Sequence, residues 1–270
     1  MREEISTFSG LEEWLKAKMG RELETGVFEA SGDAHPEPLV AYRIGDLAMV
    51  RVVEEMGAEV RSVVDGLSHD ELFSLFGVYE LARVTLPHGV GIWGPTLYYF
   101  GNADTFRPSE HDTAVQLTKK ELDEIANPRL FWHCDWTESV ANFGVFEDGR
   151  LAALTTVHDY GDPVYAIGVD VAPGSGLRGL GRAVMAGTCK WVLDQGRVIL
   201  ATSAQWNIPS VRLQRSMGLR YVLSDLHGSF GSFKVPPQPL GKPRPDVETH
   251  DLYPIWAQNK EIIRHGGSYE

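Results

Sequence analysis

The chain has 270 residues, 43% of them hydrophobic and 23% charged, a composition that excludes wholesale disorder and supplies one large core or two modest ones. The formal net charge of −12 is concentrated, with 12 Lys and Arg against 23 Asp and Glu through residue 130 and 13 against 14 beyond it. Such an acidic half argues against nucleic-acid binding, which rests on neutralising phosphates. Two cysteines, Cys134 and Cys189, offer neither a disulfide framework nor a metal-ligand pair. No apolar run approaches the roughly 18 residues of a membrane span, and Met1-Arg-Glu-Glu-Ile-Ser6 is no secretory leader, so a cytoplasmic protein without metal is expected.

In chain order, Ser9-Gly-Leu-Glu12 has the form of a capping box, followed by Leu11, Trp14, Leu15 and Met19 at helical spacing. Residues 39–44 and 47–53 alternate as two strands about a turn at Gly45-Asp46. Residues 56–64 form a helix, and Ser68-His-Asp-Glu71 caps another that carries Leu72, Leu75, Phe76 and Leu81. Residues 90–100 favour strand, broken at Gly94-Pro95. Residues 113–117 are a short strand, and Thr118-Lys-Lys-Glu121 caps a helix through Ile125. Residues 142–146 and 151–157 pair across Glu147-Asp-Gly-Arg150, leaving His158, Asp159 and Asp162 in the following turn, and residues 163–171 form the next strand. A helix over 178–193, a strand over 198–204, a short helix capped by Asn207 with Pro209 in its first turn, and a last strand complete the order.

The segment from Gly168 to Val184 stands out. A buried strand, Gly168-Val-Asp-Val-Ala-Pro173, runs into Gly174-Ser-Gly-Leu-Arg-Gly-Leu-Gly-Arg182 and a helix. Glycines let a backbone approach a ligand closely, and a helix start presents unpaired N–H groups to an anion, typically a phosphate. A dinucleotide loop would come earlier in its unit, with an acidic residue on the next strand. A nucleotide P-loop would end in Lys-Ser or Lys-Thr where this chain has Arg182-Ala183. An unliganded strand-to-helix turn is the plain alternative.

Taken with Asn207-Ile-Pro-Ser-Val-Arg-Leu213 and Met217-Gly-Leu219, this segment resembles the GNAT superfamily of acyl-CoA-dependent N-acyltransferases. Val171-Ala-Pro173 leading to Gly176-Leu-Arg-Gly-Leu-Gly181 matches its Val-x-Pro and glycine-loop motif. Asn207, Ser210, Leu213, Gly218 and Leu219 match its later motif. The resemblance covers about residues 115 to 235. It implies an α/β (α+β) GNAT fold, with a central mixed, splayed β-sheet flanked by helices, over residues 111–235. To this are added an α/β extension at 1–110, which a degenerate GNAT-like half would also fit, and a proline-rich tail at 236–270 that could dock on its own domain or on a second copy.

The resemblance further implies acetyl-CoA, or another acyl-CoA, as co-substrate and an amine-bearing acceptor as partner. Its diphosphate would lie against Gly176, Leu177, Arg178, Gly179, Leu180, Gly181 and Arg182, with Asn207 and Ser210 nearby. Its pantetheine arm would run along Val169 and Val171 like an added strand. Two departures from the family bear on catalysis. Gln214 stands where many relatives carry the Tyr that protonates the leaving thiolate, and an amide does not titrate. Tyr165 stands where relatives often carry a carboxylate base, and a phenol with an ordinary pKa near 10 is a weak one. Asp170 should face away from Val169 and Val171 by strand alternation. His158 is the first candidate base because it titrates in the useful range, with Tyr165 beside it and His133 as a further option. The two departures leave open a non-catalytic acyl-CoA sensor or scaffold, or a related enzyme of another acyl-CoA reaction such as decarboxylation.

Overall fold

The computed structural model describes residues 5–30, 37–108, 113–173 and 179–230. The calls on Gly176, Leu177, Arg178 and the tail fall outside them. The first half comprises α1 (Leu11–Met19), β1 (Gly26–Ala30), β2 (Leu39–Ile44), β3 (Leu47–Val53), α2 (Gly57–Asp65), α3 (His69–Leu72), α4 (Leu75–Thr85) and β4 (Val90–Gly101). The second comprises β5 (Val115–Gln116), α5 (Lys119–Ile125), β6 (Ala141–Glu147), β7 (Arg150–Asp159), β8 (Val164–Val171), α6 (Leu180–Asp194), β9 (Val198–Ala204), α7 (Ile208–Ser216) and β10 (Arg220–Phe230).

Local chemistry explains most of these boundaries and corrects several expectations. Ser68 and Thr118 each form the reciprocal capping box with Glu71 and Glu121. Ser9 does not: the residue before α1 is Gly10 in the left-handed region at φ 79°, and no side chain caps the helix. The helix expected after Ser68 is two helices. Ser74 interrupts it, donating its hydroxyl to the Glu71 carbonyl and accepting from the Gly77 amide. Residues 90–101 form one strand through Gly94-Pro95 rather than two, because the opposite strand shifts register between Asp225 and His227 and absorbs the irregularity. The Asp148-Gly149 turn has both residues at positive φ, 50° and 74°, as a two-residue hairpin of type I′ requires. Strand β7 extends to Asp159, so His158 lies on a strand and not in the turn. β1 has no counterpart in the sequence reading.

All ten strands belong to one mixed sheet in the order β1-β3-β2-β10-β4-β9-β8-β7-β6-β5, with helices on both faces. On one face α6 buries Val184, Met185, Cys189 and Val192 against Val157, Ile167 and Ile199, while α2 and α4 cover Val50, Val52 and Leu226. On the other, α1 lays Leu11, Trp14 and Leu15 against Phe100, Val164 and Leu200. A separate cluster around Leu122, Phe131, Cys134 and Trp136 covers Leu154. Each fully buried large side chain is worth about 1.5–3 kcal/mol. Between these last two clusters the sheet surface bears Gly168 and the exposed Thr202.

Candidate functional site

Strands β8 and β9 run parallel but pair over three rungs only: Val164 with Val198, Tyr165 with Ile199 and Ala166 with Leu200. β8 continues to Val171 and β9 to Ala204, so the two strands part above Ala166. Among the described residues, 167–171 have no strand on the side that faces β9. Their backbone groups on that side are open to an extended ligand, the geometry of strand addition. The opposite side of β8 is fully laddered to β7, from Asp159–Tyr165 to Ala153–Val171.

Helix α6 begins at the mouth of this fork. Gly179, its N-cap, has φ 78°, and the first intrahelical bond runs from the Ala183 amide to the Gly179 carbonyl. The amides of Leu180, Gly181 and Arg182 therefore precede any intrahelical partner and, with the helix dipole, favour an anion. Gly181 lets α6 close on the fork: a Cβ there would lie 3.2 Å from Val171 Cγ2 and 3.4 Å from Leu213 Cδ2. Among the described residues nothing comes within 4 Å of a Cβ at Gly179, and Arg182 is exposed in the first turn. The described part of the loop thus fits a diphosphate, with room, cationic charge and donors on one helix end.

Helix α7 forms one flank. Asn207 caps it, its Oδ1 accepting from the Ser210 amide at 3.3 Å. Gln214 is buried (1% exposed) and donates Nε2 to the Thr202 carbonyl (3.0 Å) and Ser210 Oγ (3.1 Å). Asn207 and Ser210 therefore already have internal partners, and Gln214 ties α7 to the lip of β9.

The candidate bases gather on the face opposite α6. His158 lies opposite Ala166, the last paired rung, and its Nε2 is 3.1 Å from Thr156 Oγ1. Burial lowers its pKa, partly opposed by Asp135 and Glu138, so near neutral pH the ring is uncharged and able to accept a proton. Asp170 faces away from the Val169 and Val171 side chains. It accepts from the His133 amide (2.7 Å) and contacts His133 Nδ1 (2.6 Å). The His133 carbonyl lies on Gly168, where any Cβ would overlap it, so the 131–134 loop is seated on the open half of β8. Tyr165 is placed elsewhere: it stacks on Trp191 with centroids 6.1 Å apart and Arg197 lies over it, on the α6 side of the closed rungs. That position removes it from the face on which His158 and His133 lie.

Sequence reasoning missed a carboxylate on this face. Asp225 of β10 is buried and accepts from the Tyr98 hydroxyl at 2.8 Å. Its only signal was a charged residue inside the apolar run Val222–Leu226. Among the described residues no group of three or more His, Cys, Asp or Glu could hold a metal, and no helix is long and apolar enough to cross a membrane.

Residues 108–219 match the model of the acetyltransferase (GNAT) family. No curated protein matches the chain. Among solved structures, it is similar to a GNAT-family putative acetyltransferase from Novosphingobium aromaticivorans (20% identity, 52% of this chain and 66% of that one, TM-score 0.44). It is also similar to a GNAT-family acetyltransferase from Colwellia psychrerythraea (14%, 55% and 60%, TM-score 0.43) and to a Drosophila protein (13%, 74% and 77%, TM-score 0.43). The chain spans less than two thirds of the length of the first two, and the likeness to the family is carried by the sequence match over residues 108–219.

Proposed function

We propose, from the match of residues 108–219 to the acetyltransferase (GNAT) family, that the protein transfers an acyl group, acetyl in the first instance, from acyl-CoA to an amine. The observation that carries this reading is the fork: a strand pair that closes for three rungs and then parts, with a helix N-terminus at its mouth. The reaction forms a C–N amide bond, breaks the thioester C–S bond and releases CoA, and it needs a neutral amine and a place for its proton.

Each requirement has a residue to meet it. The N-terminal amides of α6 hold the diphosphate, with Arg182 supplying charge. The free side of β8 at residues 167–171 pairs with the pantetheine arm along Val169 and Val171, which places the thioester near Ala166 and orients it toward the face of His158. His158, kept neutral by burial, takes the proton from the attacking amine, and Thr156 fixes its ring. His133, oriented by Asp170, lies beside the same opening. Gln214 supplies no proton to the leaving thiolate, so that proton comes from solvent.

The test is CoA release from acetyl-CoA across a panel of primary amines, with CoA binding measured by calorimetry. Turnover that His158→Gln lowers at least tenfold, with CoA affinity unchanged, supports the assignment. CoA binding without turnover on any amine replaces it with an acyl-CoA sensor, and absence of CoA binding removes it.

A further inference from the structure

Helices α2 and α4 leave a groove of about 550 Å³ between them, floored by Val63, Leu67 and Val84 and rimmed by Glu59, Glu80 and Arg83. Val63 is buried, whereas Leu67 and Val84 are only half-buried against the core beneath the two helices. α2 packs on β1 and β3, and α4 packs on β4. With the strand order β1-β3-β2-β10-β4, the groove therefore runs above β2 and β10.

Strand β10 delivers the chain to one end of this groove. α2 starts just after β3 ends, and α4 ends just before β4 begins. β10 finishes at the same end of the sheet: Gly228 pairs with Leu39, itself opposite Val52, and Phe230 pairs with Val90. His88 and Glu59 mark that end, with Nε2 and Oε1 3.8 Å apart. Leu226 packs beneath α2 and α4, and strand alternation gives Phe230 the same face. Phe230 is 74% exposed there, a large apolar side chain at the mouth of the groove.

The sequence that follows matches the groove in polarity, sign and length. The chain runs on for 40 residues past Phe230, starting Gly231-Ser-Phe-Lys-Val-Pro-Pro-Gln-Pro-Leu240. Phe233 and Val235 suit the apolar floor. Between Asp225 and Asp246 the chain has no acidic residue, and it carries Lys234, Lys242 and Arg244. The groove has the opposite sign. Glu54, Glu55, Glu59 and Asp65 are exposed along and just before α2, while Arg61 is bonded to Glu29 at 3.1 Å and Arg83 to Glu80 at 2.9 Å. The nine residues of α2 make a wall about 14 Å long. Three extended residues climb the roughly 10 Å of a helix layer, and four or five more cover that wall at about 3.1 Å each. Prolines fix φ, so a proline-rich segment loses less entropy when it is laid in a groove.

We propose that the groove between α2 and α4 is the seat of residues 231–240 of the same chain, with Phe233 and Val235 covering Val63, Leu67 and Val84 and with Lys234 at the acidic rim.

The experiment uses the full chain. Amide hydrogen exchange over residues 231–240 is compared with that of a free peptide of the same sequence, and the expected result is exchange at least tenfold slower in the protein. Ser62 lines the groove from an exposed position, so Ser62→Trp fills it and should restore the rate of the peptide. The pair Glu59→Lys and Glu80→Lys should remove the protection severalfold through charge alone. Should the Trp variant fail to fold, a cross-link decides the question. Cys134 and Cys189 are buried, so Ser62→Cys with Val235→Cys should close an intramolecular disulfide under mild oxidation. Peptide-like exchange in the wild type, protection that survives in a folded Ser62→Trp variant, or absence of the cross-link overturns the proposal. A disulfide-linked dimer overturns it as well, because the groove would then hold the tail of a second copy. Neither readout involves acyl-CoA turnover.

Discussion

Gly179→Glu places a carboxylate at the mouth of the fork with little consequence for the fold itself. The residue has φ 78°, and a Cβ built on it meets no described residue within 4 Å, so the structural cost is that of the left-handed backbone, about 1–2 kcal/mol for a non-glycine residue. A negative charge at a helix N-terminus returns about 0.3–1 kcal/mol of that. The net loss of about 0–2 kcal/mol is small against the 5–15 kcal/mol typical of a folded protein. The effect on a diphosphate is larger. At a separation on the order of 5 Å, each like-charge contact costs about 0.8 kcal/mol in water and about 3 kcal/mol at an effective dielectric of 20. Two phosphate charges make roughly 2–6 kcal/mol, or about thirty-fold to ten-thousand-fold in Kd. Gly179→Ala carries the backbone strain without the charge and should change the CoA Kd by about threefold or less. Pantetheine, which lacks the diphosphate, should bind both variants alike. Calorimetry with CoA and pantetheine, alongside a thermal melt, reads all of this. A folded Glu variant that binds CoA as tightly as the wild type would refute the placement of the diphosphate at α6.

Gln214→Met removes the bonds to Thr202 and Ser210, worth about 1 kcal/mol each, and with them a buried Oε1 that has no partner among the described residues, itself a cost of about 1–3 kcal/mol. Urea unfolding should move by no more than about 1 kcal/mol; a loss above 3 kcal/mol would show that the amide is better satisfied than its geometry indicates. Gly218→Ala forces φ 84° on alanine and drives its Cβ into the Thr105 carbonyl oxygen, so a loss of at least about 2 kcal/mol is expected in the same assay, and a neutral result would contradict the close approach of the two loops. His158 has a folded pKa below its ordinary 6.5 because burial disfavours the charged ring. The unfolded chain then binds more protons between the two values, so the stability contributed by His158 is complete above about pH 6.5 and is lost as pH falls through the folded pKa. Thermal melts between pH 8 and 5 should show a shallower decline in His158→Gln; identical slopes would mean that the ring is solvated.

What the sequence made legible was local. The boxes at Ser68 and Thr118, the Asp148-Gly149 turn and the Asn207 cap each close within three or four residues, so their chemistry is complete in a short window. Ser9 misled because Gly10 took the left-handed conformation and started α1 without a side-chain cap. Alternation placed Asp170 on the correct face, but its partner His133 is 37 residues away, and Tyr98 meets Asp225 across 127; no periodicity carries such pairings. Apolar alternation alone puts His158 in the turn, because β7 runs two residues beyond that alternation. The parting of β8 and β9 was legible only through family resemblance, since nothing in either strand's composition stops their pairing at Ala166.

That parting depends on residues well outside the family match. Above Leu200, β9 has lost β8, and among the described residues its remaining partner is β4, paired from Tyr99–Ala201 to Thr96–Ala204. β4 belongs to the first 110 residues, and its other neighbour is β10, which in turn pairs with β2. The two halves of the chain are therefore interleaved in one sheet, and the segment boundary near residue 110 is not a boundary in packing. Each lip of the fork has one complete ladder behind it, β7 behind β8 and β4 behind β9. Unpaired on both sides, either lip would be a free edge prone to close on the other or on another chain. Held on one side, each can leave its inner edge open to a ligand. The first half of the chain thus contributes to the proposed activity through β4, which holds one lip of the fork.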